Sequence, residues 1–299
     1  MPWSSSSGTC DRKAYPSRGH HLMKKLLSML TALVCGLGMN AVVASPQDDI
    51  LRFQQYFLER FSEVPEEEFT NGAYAIDPIG RENWEAIEEF PPYEAYIDEG
   101  ESMWNTPFAN GKGYVDCFPE GPAIRHKYPY WDRERGMVIT LPLAINECRE
   151  ANGEKPLKYK KGPIASLLAY MAYESRGEIT NVEIPEDDPR AVEAFNAGKQ
   201  FYFARRGQLN FSCAHCHAYS PGLQLRTEIL SPAYGHSTHW PVYRSKWGEL
   251  GTLHRRFSGC NKQVRAKPFP AQGEEYRNLE YFLTAVSNGL PYNGPGARK

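Results

Sequence analysis

The stretch NFSCAHCHAY, residues 210–219, contains Cys213-Ala-His-Cys216-His217. This CxxCH pattern is the signature of covalent attachment of a c-type haem. Two thiols three positions apart can reach both vinyl groups of one porphyrin edge, and the next residue, a histidine, gives its nitrogen to the iron. The motif therefore predicts one covalently bound haem c, with His217 as an iron ligand. The alternative interpretation is a disulfide between Cys213 and Cys216 beside an unrelated histidine.

The segments on either side of the motif predict the helices of a cytochrome c-like fold. DDPRAVEAFNAGKQFYFARRG, residues 187–207, opens with an N-cap candidate and a proline at the first helical position. EEYRNLEYFLTAVSNG, residues 274–289, places apolar residues on one face and stops at a glycine. Gly198 would let the two helices cross closely, which explains a residue that costs a helix about 1 kcal/mol. The predicted fold is mainly α.

Residues 100–177 repeat several features of this unit. Gly100 precedes Trp104 as Gly198 precedes Tyr202, and both halves end a helix at a glycine. The spacing between the paired motifs differs by two residues. The similarity predicts an internal duplication, that is, two tandem cytochrome c-like domains spanning residues 45–185 and 186–299.

The first copy lacks the attachment motif. DCFPEG, residues 116–121, keeps Cys117 but has Glu120 and Gly121 where the second cysteine and the histidine would stand. Cys148 is the natural partner for Cys117, and a disulfide would stabilise a domain without a cofactor by roughly 3–4 kcal/mol. Only the C-terminal domain is therefore predicted to bind haem.

Residues 1–44 predict an export leader. From Met23, a Sec-type signal peptide begins with Lys24 and Lys25, continues with an apolar run and closes on small residues up to Ala44. The run is too short and wrongly flanked for a membrane span, although a retained anchor is the alternative. No later stretch is apolar enough to cross a bilayer. The predicted location is the periplasm.

Charge is distributed unevenly along the remaining chain. Residues 45–101 carry sixteen Asp/Glu and three Lys/Arg, whereas residues 102–299 carry nineteen and twenty-six. The acidic segment is expected to be mostly surface helix and loop. The basic excess in the half with the chemistry predicts an anionic substrate or an acidic partner. Nucleic acid binding is not expected of an exported protein.

The second axial ligand of the iron cannot be a downstream methionine. All methionines after the leader lie upstream of the motif, at Met103, Met137 and Met171. A histidine ligand would give a plain electron carrier, and a cysteine thiolate would make the reduction potential strongly negative. The local candidates are His236, His239, His254 and Cys260.

Cys260 lies in HRRFSGCNKQVRAKPF, residues 254–269, where cations surround it without a single Asp or Glu. Cations favour the reactive thiolate form of a cysteine. They would also attract an anionic substrate, and a guanidinium can hold the oxygens of an oxyanion through two parallel hydrogen bonds. The bland alternative is a solvated basic loop without a substrate. The cations are Arg255, Arg256, Lys262, Arg265 and Lys267.

CAHCH, followed by RRFSGCNKQVRAKPF and GEEYRNLEYFL, resembles the SoxA family, the catalytic subunit of the periplasmic SoxAX cytochrome complex of sulfur-oxidising bacteria. The resemblance covers nearly all of the chain after the leader, including YPYWD and AINECREANGEKPL in the first half. SoxA proteins carry two haems or one, and the missing first motif places this chain with the one-haem forms. In those, a disulfide like Cys117–Cys148 takes the place of the absent haem.

The resemblance implies an L-cysteine S-thiosulfotransferase. With SoxX, such a protein couples thiosulfate oxidatively to a cysteine of the carrier SoxYZ, and the electrons leave through a cytochrome c. It also implies that Cys260 is both the distal haem ligand and the catalytic residue, and that Arg256 binds the substrate. His217 would be the proximal ligand, and Cys213 and Cys216 would carry the porphyrin.

Two other functions fit the motif alone. One is an electron-transfer-only c-type cytochrome without sulfur chemistry. The other is a structural subunit whose partner supplies all the chemistry. An extra sulfur on Cys260, or a thiosulfate dependence that changes in Arg256→Ala, would favour the enzyme.

Overall fold

A computed structural model describes residues 45–299, so the predicted leader lies outside the described residues. In chain order the helices are α1 Pro46–Arg60, α2 Pro78–Glu88, α3 Glu94–Asn105, α4 Tyr114–Cys117, α5 Leu141–Ala151, α6 Pro163–Glu174, α7 Pro189–Phe203, α8 Cys213–His217, α9 Leu253–Gln263 and α10 Glu274–Ala285, with 3-10 segments at Glu66–Ala75 and Arg125–Lys127. The strands are β1 Tyr130–Asp132, β2 Met137–Ile139, β3 Gln224–Leu225, β4 Glu228–Ile229, β5 Val242–Arg244, β6 Glu249–Gly251 and β7 Gly296–Arg298.

Two pairs of crossing helices organise the chain, α3 with α6 and α7 with α10. Glycine permits both crossings. A Cβ at Gly100 would lie 2.1 Å from the carbonyl oxygen of Ser166, and one at Gly198 would lie 2.0 Å from that of Asn278. The prediction that Gly198 allows a close crossing is confirmed, and Phe282 packs beside it.

Local sequence explains where α7 begins and where the chain turns after α10. Asp188 caps α7 by accepting a hydrogen bond from the backbone N–H of Arg190, and Pro189 is the first helical residue. Gly289, with φ +90°, follows α10 and reverses the chain in a conformation that favours glycine. Both predicted helices are therefore confirmed, within a mainly helical fold.

Short antiparallel hairpins lead into the two helices that follow them. The β1–β2 hairpin precedes α5, and the β5–β6 hairpin precedes α9. Thr140 and Thr252 are the N-caps, and each accepts a hydrogen bond from a backbone N–H of the first turn. Strand β7, near the C-terminus, pairs in parallel with β5. The second hairpin thus positions α9, the helix that carries Cys260.

The acid-rich segment is not only a surface. In α1, Phe57 is completely buried, and Phe53 makes edge contacts with the rings of Tyr202 in α7 and Phe282 in α10. The phenol of Tyr56 donates a 2.7 Å hydrogen bond to the carbonyl of Ala218. Helix α1 therefore packs on the half that contains the CxxCH motif, where burial of aromatic rings offsets its high charge.

A buried ion-pair network joins the two halves. Glu280 in α10 is 2 % exposed, accepts a hydrogen bond from the Arg125 guanidinium at 3.3 Å and lies 3.1 Å from Nε2 of His254. Nδ1 of His254 accepts a 3.0 Å hydrogen bond from the backbone N–H of Gln272. Thr140 donates a 2.6 Å hydrogen bond to the amide oxygen of Gln272. The N-cap of α5 is thereby connected to α9.

Between residues 45 and 299, no helix is both long and apolar enough to cross a membrane.

Candidate active site

The motif forms the short helix α8, whose start is fixed by Ser212. The Ser212 hydroxyl accepts from the backbone N–H of His215, and the His215 ring accepts from the backbone N–H of Ser212 at 3.2 Å. This reciprocal capping box satisfies two helix-terminal donors. His215 therefore has a structural role at the start of the motif.

His217 is oriented by its Nδ1, which donates a 2.9 Å hydrogen bond to the carbonyl of Ser231. Nε2 then carries the free lone pair, the arrangement that second-shell hydrogen bonds impose on metal-binding histidines. Burial lowers the pKa of His217 to about 4, so the imidazole is neutral. The ring is therefore in the protonation state and tautomer that an iron ligand requires.

Three cysteines of the described chain are free, Cys213, Cys216 and Cys260, and all line one cavity with His217. Burial, and to a smaller extent the nearby Cys260, raise the pKa of Cys213 to about 12. Burial and Cys260 also raise the pKa of Cys216. The two attachment thiols and Cys260 are thus close enough to influence one another, although 43 residues separate Cys260 from His217.

This CxxCH cavity opens into a wider space of about 850 Å³ that also contacts Cys216 and His217. That volume lies within the range of cofactor and ligand pockets, roughly 300–1,000 Å³. In the CxxCH cavity itself, apolar side chains form most of the wall, and polar groups converge at a few points. Two thiols, a neutral imidazole and an opposed thiol in an apolar cavity suit a covalently attached haem. The apolar wall residues include Leu225, Leu230, Leu253, Phe257, Leu279 and Leu283.

Three histidines are the other candidates for the second iron ligand, and they are placed differently from Cys260. The His236 ring lies 4.4 Å from the His217 ring, closer than the roughly 6 Å between imidazoles on opposite sides of a metal with bonds of about 2 Å. His239 is hydrogen-bonded through Nδ1 to the carbonyl of Thr70 at 3.3 Å and stacks on Trp240. Both nitrogens of His254 belong to the buried network described above.

Arg256 and Cys260 share one face of α9 because they are four residues apart. Both line the CxxCH cavity, and the Arg256 guanidinium lies near enough to Cys216 and His217 to influence their pKa values. The structure therefore brings together the substrate-binding and catalytic candidates on the wall of the cavity that contains the motif.

The other four cations of the basic run face elsewhere. The Arg255 guanidinium lies 4.1 Å from the centroid of the Trp247 ring, and both side chains line a groove separate from the CxxCH cavity. Lys262 lines that groove as well. Arg265 and Lys267 follow α9 and are exposed. They line neither this groove nor the wider space of about 850 Å³. Of the five cations in the basic run, only Arg256 therefore lines the CxxCH cavity.

The fold adds two arginines that the sequence did not indicate. Arg244 in β5 is buried, Arg298 in β7 is half-buried, and both line the wider cavity. Burial lowers the pKa of Arg244 and so does Arg256, while its ion pair with Glu228 and the nearby Cys260 oppose that change. Nothing in the local sequence of either strand distinguishes these residues, since the parallel pairing of β5 and β7 creates the site.

In the first half, Cys117 and Cys148 form a disulfide. Aromatic rings fill the space around it, with Trp104 stacked on Tyr114 and Phe118. The disulfide links α4 to α5, and this half has its own apolar core.

Comparison with known proteins agrees with this arrangement. The model of the SoxA/TsdA cytochrome c domain matches residues 99–179, and with the crossing helices and the CxxCH cavity it defines a protein of cytochrome c-like fold. The L-cysteine S-thiosulfotransferase subunit SoxA of Allochromatium vinosum is 72% identical over 256 residues, which cover 86% of this chain and 91% of that protein. The chain belongs to the SoxA family.

More distant relatives extend the comparison. The subunit of the same name from Chlorobaculum tepidum is 53% identical over 251 residues, covering 84% of this chain and 87% of that protein. The crystal structure of SoxXA from P. pantotrophus has a TM-score of 0.66 at 28% identity, covering 75% of this chain and 84% of that chain. The similarity in fold and in sequence therefore extends over most of the chain.

Proposed function

We propose that this chain is the catalytic subunit of a periplasmic L-cysteine S-thiosulfotransferase, which with a SoxX cytochrome subunit couples thiosulfate to a cysteine of a SoxYZ carrier. The names of its relatives support the activity, and the similarity to SoxXA supports the SoxX partner. The observation that carries the proposal is the position of Arg256 and Cys260 on one face of α9, at the cavity of the CxxCH motif.

The proposal assigns two tandem cytochrome c-like domains to the chain after the leader, residues 45–185 and 186–299, with one haem in the second. Cys213 and Cys216 would hold the porphyrin by thioether bonds, and His217 and Cys260 would bind the iron. The haem supplies an electron-accepting centre when bound. The paired crossings at Gly100 and Gly198 support the duplication, and the cytochrome c domain model matches the half without the motif.

The overall reaction is a two-electron oxidation. The outer sulfur of thiosulfate and the sulfur of the carrier cysteine form a new S–S bond, and the carrier S–H bond breaks. The products are a cysteine S-thiosulfonate, one proton and two electrons, and the electrons pass to an electron-accepting cytochrome c.

The side chains of α9 have separate tasks in this proposal. Arg256 holds the sulfonate oxygens through its guanidinium fork, which directs the outer sulfur of thiosulfate into the cavity. Cys260 presents its sulfur to the substrate from the same helix face. Arg244 adds a buried positive charge nearby, which favours a dianion over neutral thiols.

A thiosulfate-conjugation assay tests the function. Haem-loaded protein with its SoxX subunit, the reduced carrier and an oxidised cytochrome c acceptor should yield carrier thiosulfonate, detected by mass spectrometry. Cys260→Ser should abolish this product while a haem-content assay stays at the wild-type value. An unchanged yield in that variant would instead support the electron-transfer-only cytochrome. An extra sulfur on the wild-type Cys260 peptide would show that sulfur passes through this residue.

A further inference from the structure

A second concave surface lies on the side of α9 that faces away from the CxxCH cavity. This basic groove has a volume of about 720 Å³, and Trp247, Ser258 and Gly259 form part of its floor. Five cations line it, and no carboxylate does so among the described residues. The cations are Lys158, Lys160, Lys161, Arg255 and Lys262.

The two walls of the groove are fixed to each other. Thr252, the N-cap of α9, donates from its hydroxyl to the carbonyl of Tyr159 at 2.9 Å and from its backbone N–H to that of Lys160 at 3.2 Å. These bonds attach the lysine-rich loop to the start of α9. The groove is therefore part of the folded framework, and its loop does not depend on a ligand for its position.

Packing and ion pairs hold the Arg255 side of the groove. Arg255 stacks on Trp247 and pairs with Glu249 at 3.0 Å, and Glu249 also pairs with Lys161 at 2.9 Å. A Cβ at Gly251 would lie 2.4 Å from the Trp247 ring, so glycine permits this packing. One carboxylate beside five cations leaves the groove strongly positive in a chain whose overall formal charge is −2.

We propose that the basic groove docks an acidic segment of a partner protein. Charge complementarity selects an acidic ligand, and the volume exceeds what one small anion would fill. The concave shape favours a polypeptide over a flat anionic membrane. A docked segment would lie one helix diameter, about 10–12 Å, from Cys260, because α9 alone separates the two spaces. The proposal does not depend on the sulfur chemistry assigned to the CxxCH cavity.

Binding of a fluorescently labelled peptide of ten aspartates to the haem-loaded protein tests the proposal by anisotropy. The affinity should fall as salt rises, since screening weakens contacts between exposed charges. Lys158→Glu/Lys160→Glu should weaken binding at least about tenfold through charge reversal. The matched control Lys112→Glu/Lys267→Glu makes the same change in net charge at exposed positions outside the groove and should bind as the wild type does.

Three results would overturn the proposal. They are equal loss in the groove variant and the control, loss only in Arg256→Ala, and absence of peptide binding while vesicles of phosphatidylglycerol bind through the same lysines. The last two would place the acidic ligand in the CxxCH cavity or assign the groove to a membrane. If the double variant loses its haem spectrum, Lys262→Glu on the opposite wall replaces it, with the same expected tenfold loss.

Discussion

Gly198 in α7 and Asn278 in α10 lie in direct backbone contact, so that a Cβ at position 198 would stand 2.0 Å from the Asn278 carbonyl oxygen. This contact brings the first and last helices of the second half together beside the CxxCH cavity. No rotamer change can relieve a clash with a carbonyl oxygen, so any side chain at 198 must separate the helices.

Gly198→Ala should therefore destabilise the protein. We expect the free energy of unfolding to fall by about 2 kcal/mol from overpacking, even though alanine favours a helix by about 1 kcal/mol. Urea denaturation followed by circular dichroism measures the change. Gly113→Ala is the control, since a Cβ there meets nothing within 4 Å, and should change stability by less than about 1 kcal/mol. Equal effects of the two substitutions would contradict the close crossing.

Substitutions of the adjacent arginines of α9, Arg255 and Arg256, should differ in their effect on KM for thiosulfate. Arg256→Ala should raise KM for thiosulfate at least about tenfold, because charged hydrogen bonds contribute about 1.5–3 kcal/mol. Arg255→Ala removes the same charge from the opposite side of α9 and should change KM less than about twofold. Steady-state rates over a range of thiosulfate concentrations measure both. A similar rise in both variants would mean that the basic run acts through its total charge.

Removal of the Cys117–Cys148 disulfide should weaken the first half without affecting the haem. Cys117→Ser/Cys148→Ser should lower the free energy of unfolding by about 3–4 kcal/mol, since the bond closes a loop with a sequence separation of 31. Thermal denaturation with and without dithiothreitol measures this. The reductant should lower the wild-type midpoint towards that of the variant. An unchanged midpoint in the variant would show that the aromatic packing suffices.

The buried carboxylate of Glu280 should make stability depend on acid. Burial alone raises its pKa, but His254 and Arg125 together outweigh burial, so the pKa lies below the usual 4.5. A lowered carboxylate pKa stabilises the fold above the unfolded value, and this contribution is lost as the pH falls below about 4.5. Glu280→Gln should cost about 3 kcal/mol at pH 7 and should flatten the loss of stability between pH 4.5 and 3.

Urea denaturation at several pH values tests this prediction. Glu186→Gln removes an exposed carboxylate and should retain the acid dependence of the wild type. A wild-type slope in Glu280→Gln would mean that other carboxylates govern acid stability.

Sequence patterns revealed the parts of the fold that depend on local spacing. The helix from Pro189 and the close crossing at Gly198 follow from caps, periodicity and glycine, which act over a few residues. The pattern of α1 did not reveal its packing against α7 and α10, because its charged positions hide the buried stripe of Phe53 and Phe57.

The residues of the candidate site likewise differ in whether local sequence reveals them. CxxCH and the i, i+4 spacing of Arg256 and Cys260 are visible in one stretch of chain each. Which face of α9 the adjacent arginines occupy depends on the helix register, and so the basic run could not be divided in advance. Arg244 enters the cavity only because β5 lies between β6 and β7, a tertiary arrangement without a local signal.

Cys148 and Cys260 occupy the same position in two helices of eleven residues, each capped by threonine after a hairpin. In the first half this position is closed by a covalent bond to Cys117. In the second half the corresponding thiol is free, and under the proposed function it would bind the haem iron. We expect maturation in a fixed order, in which the disulfide-closed half folds first and offers Arg125 as a finished docking point for the apoprotein of the other.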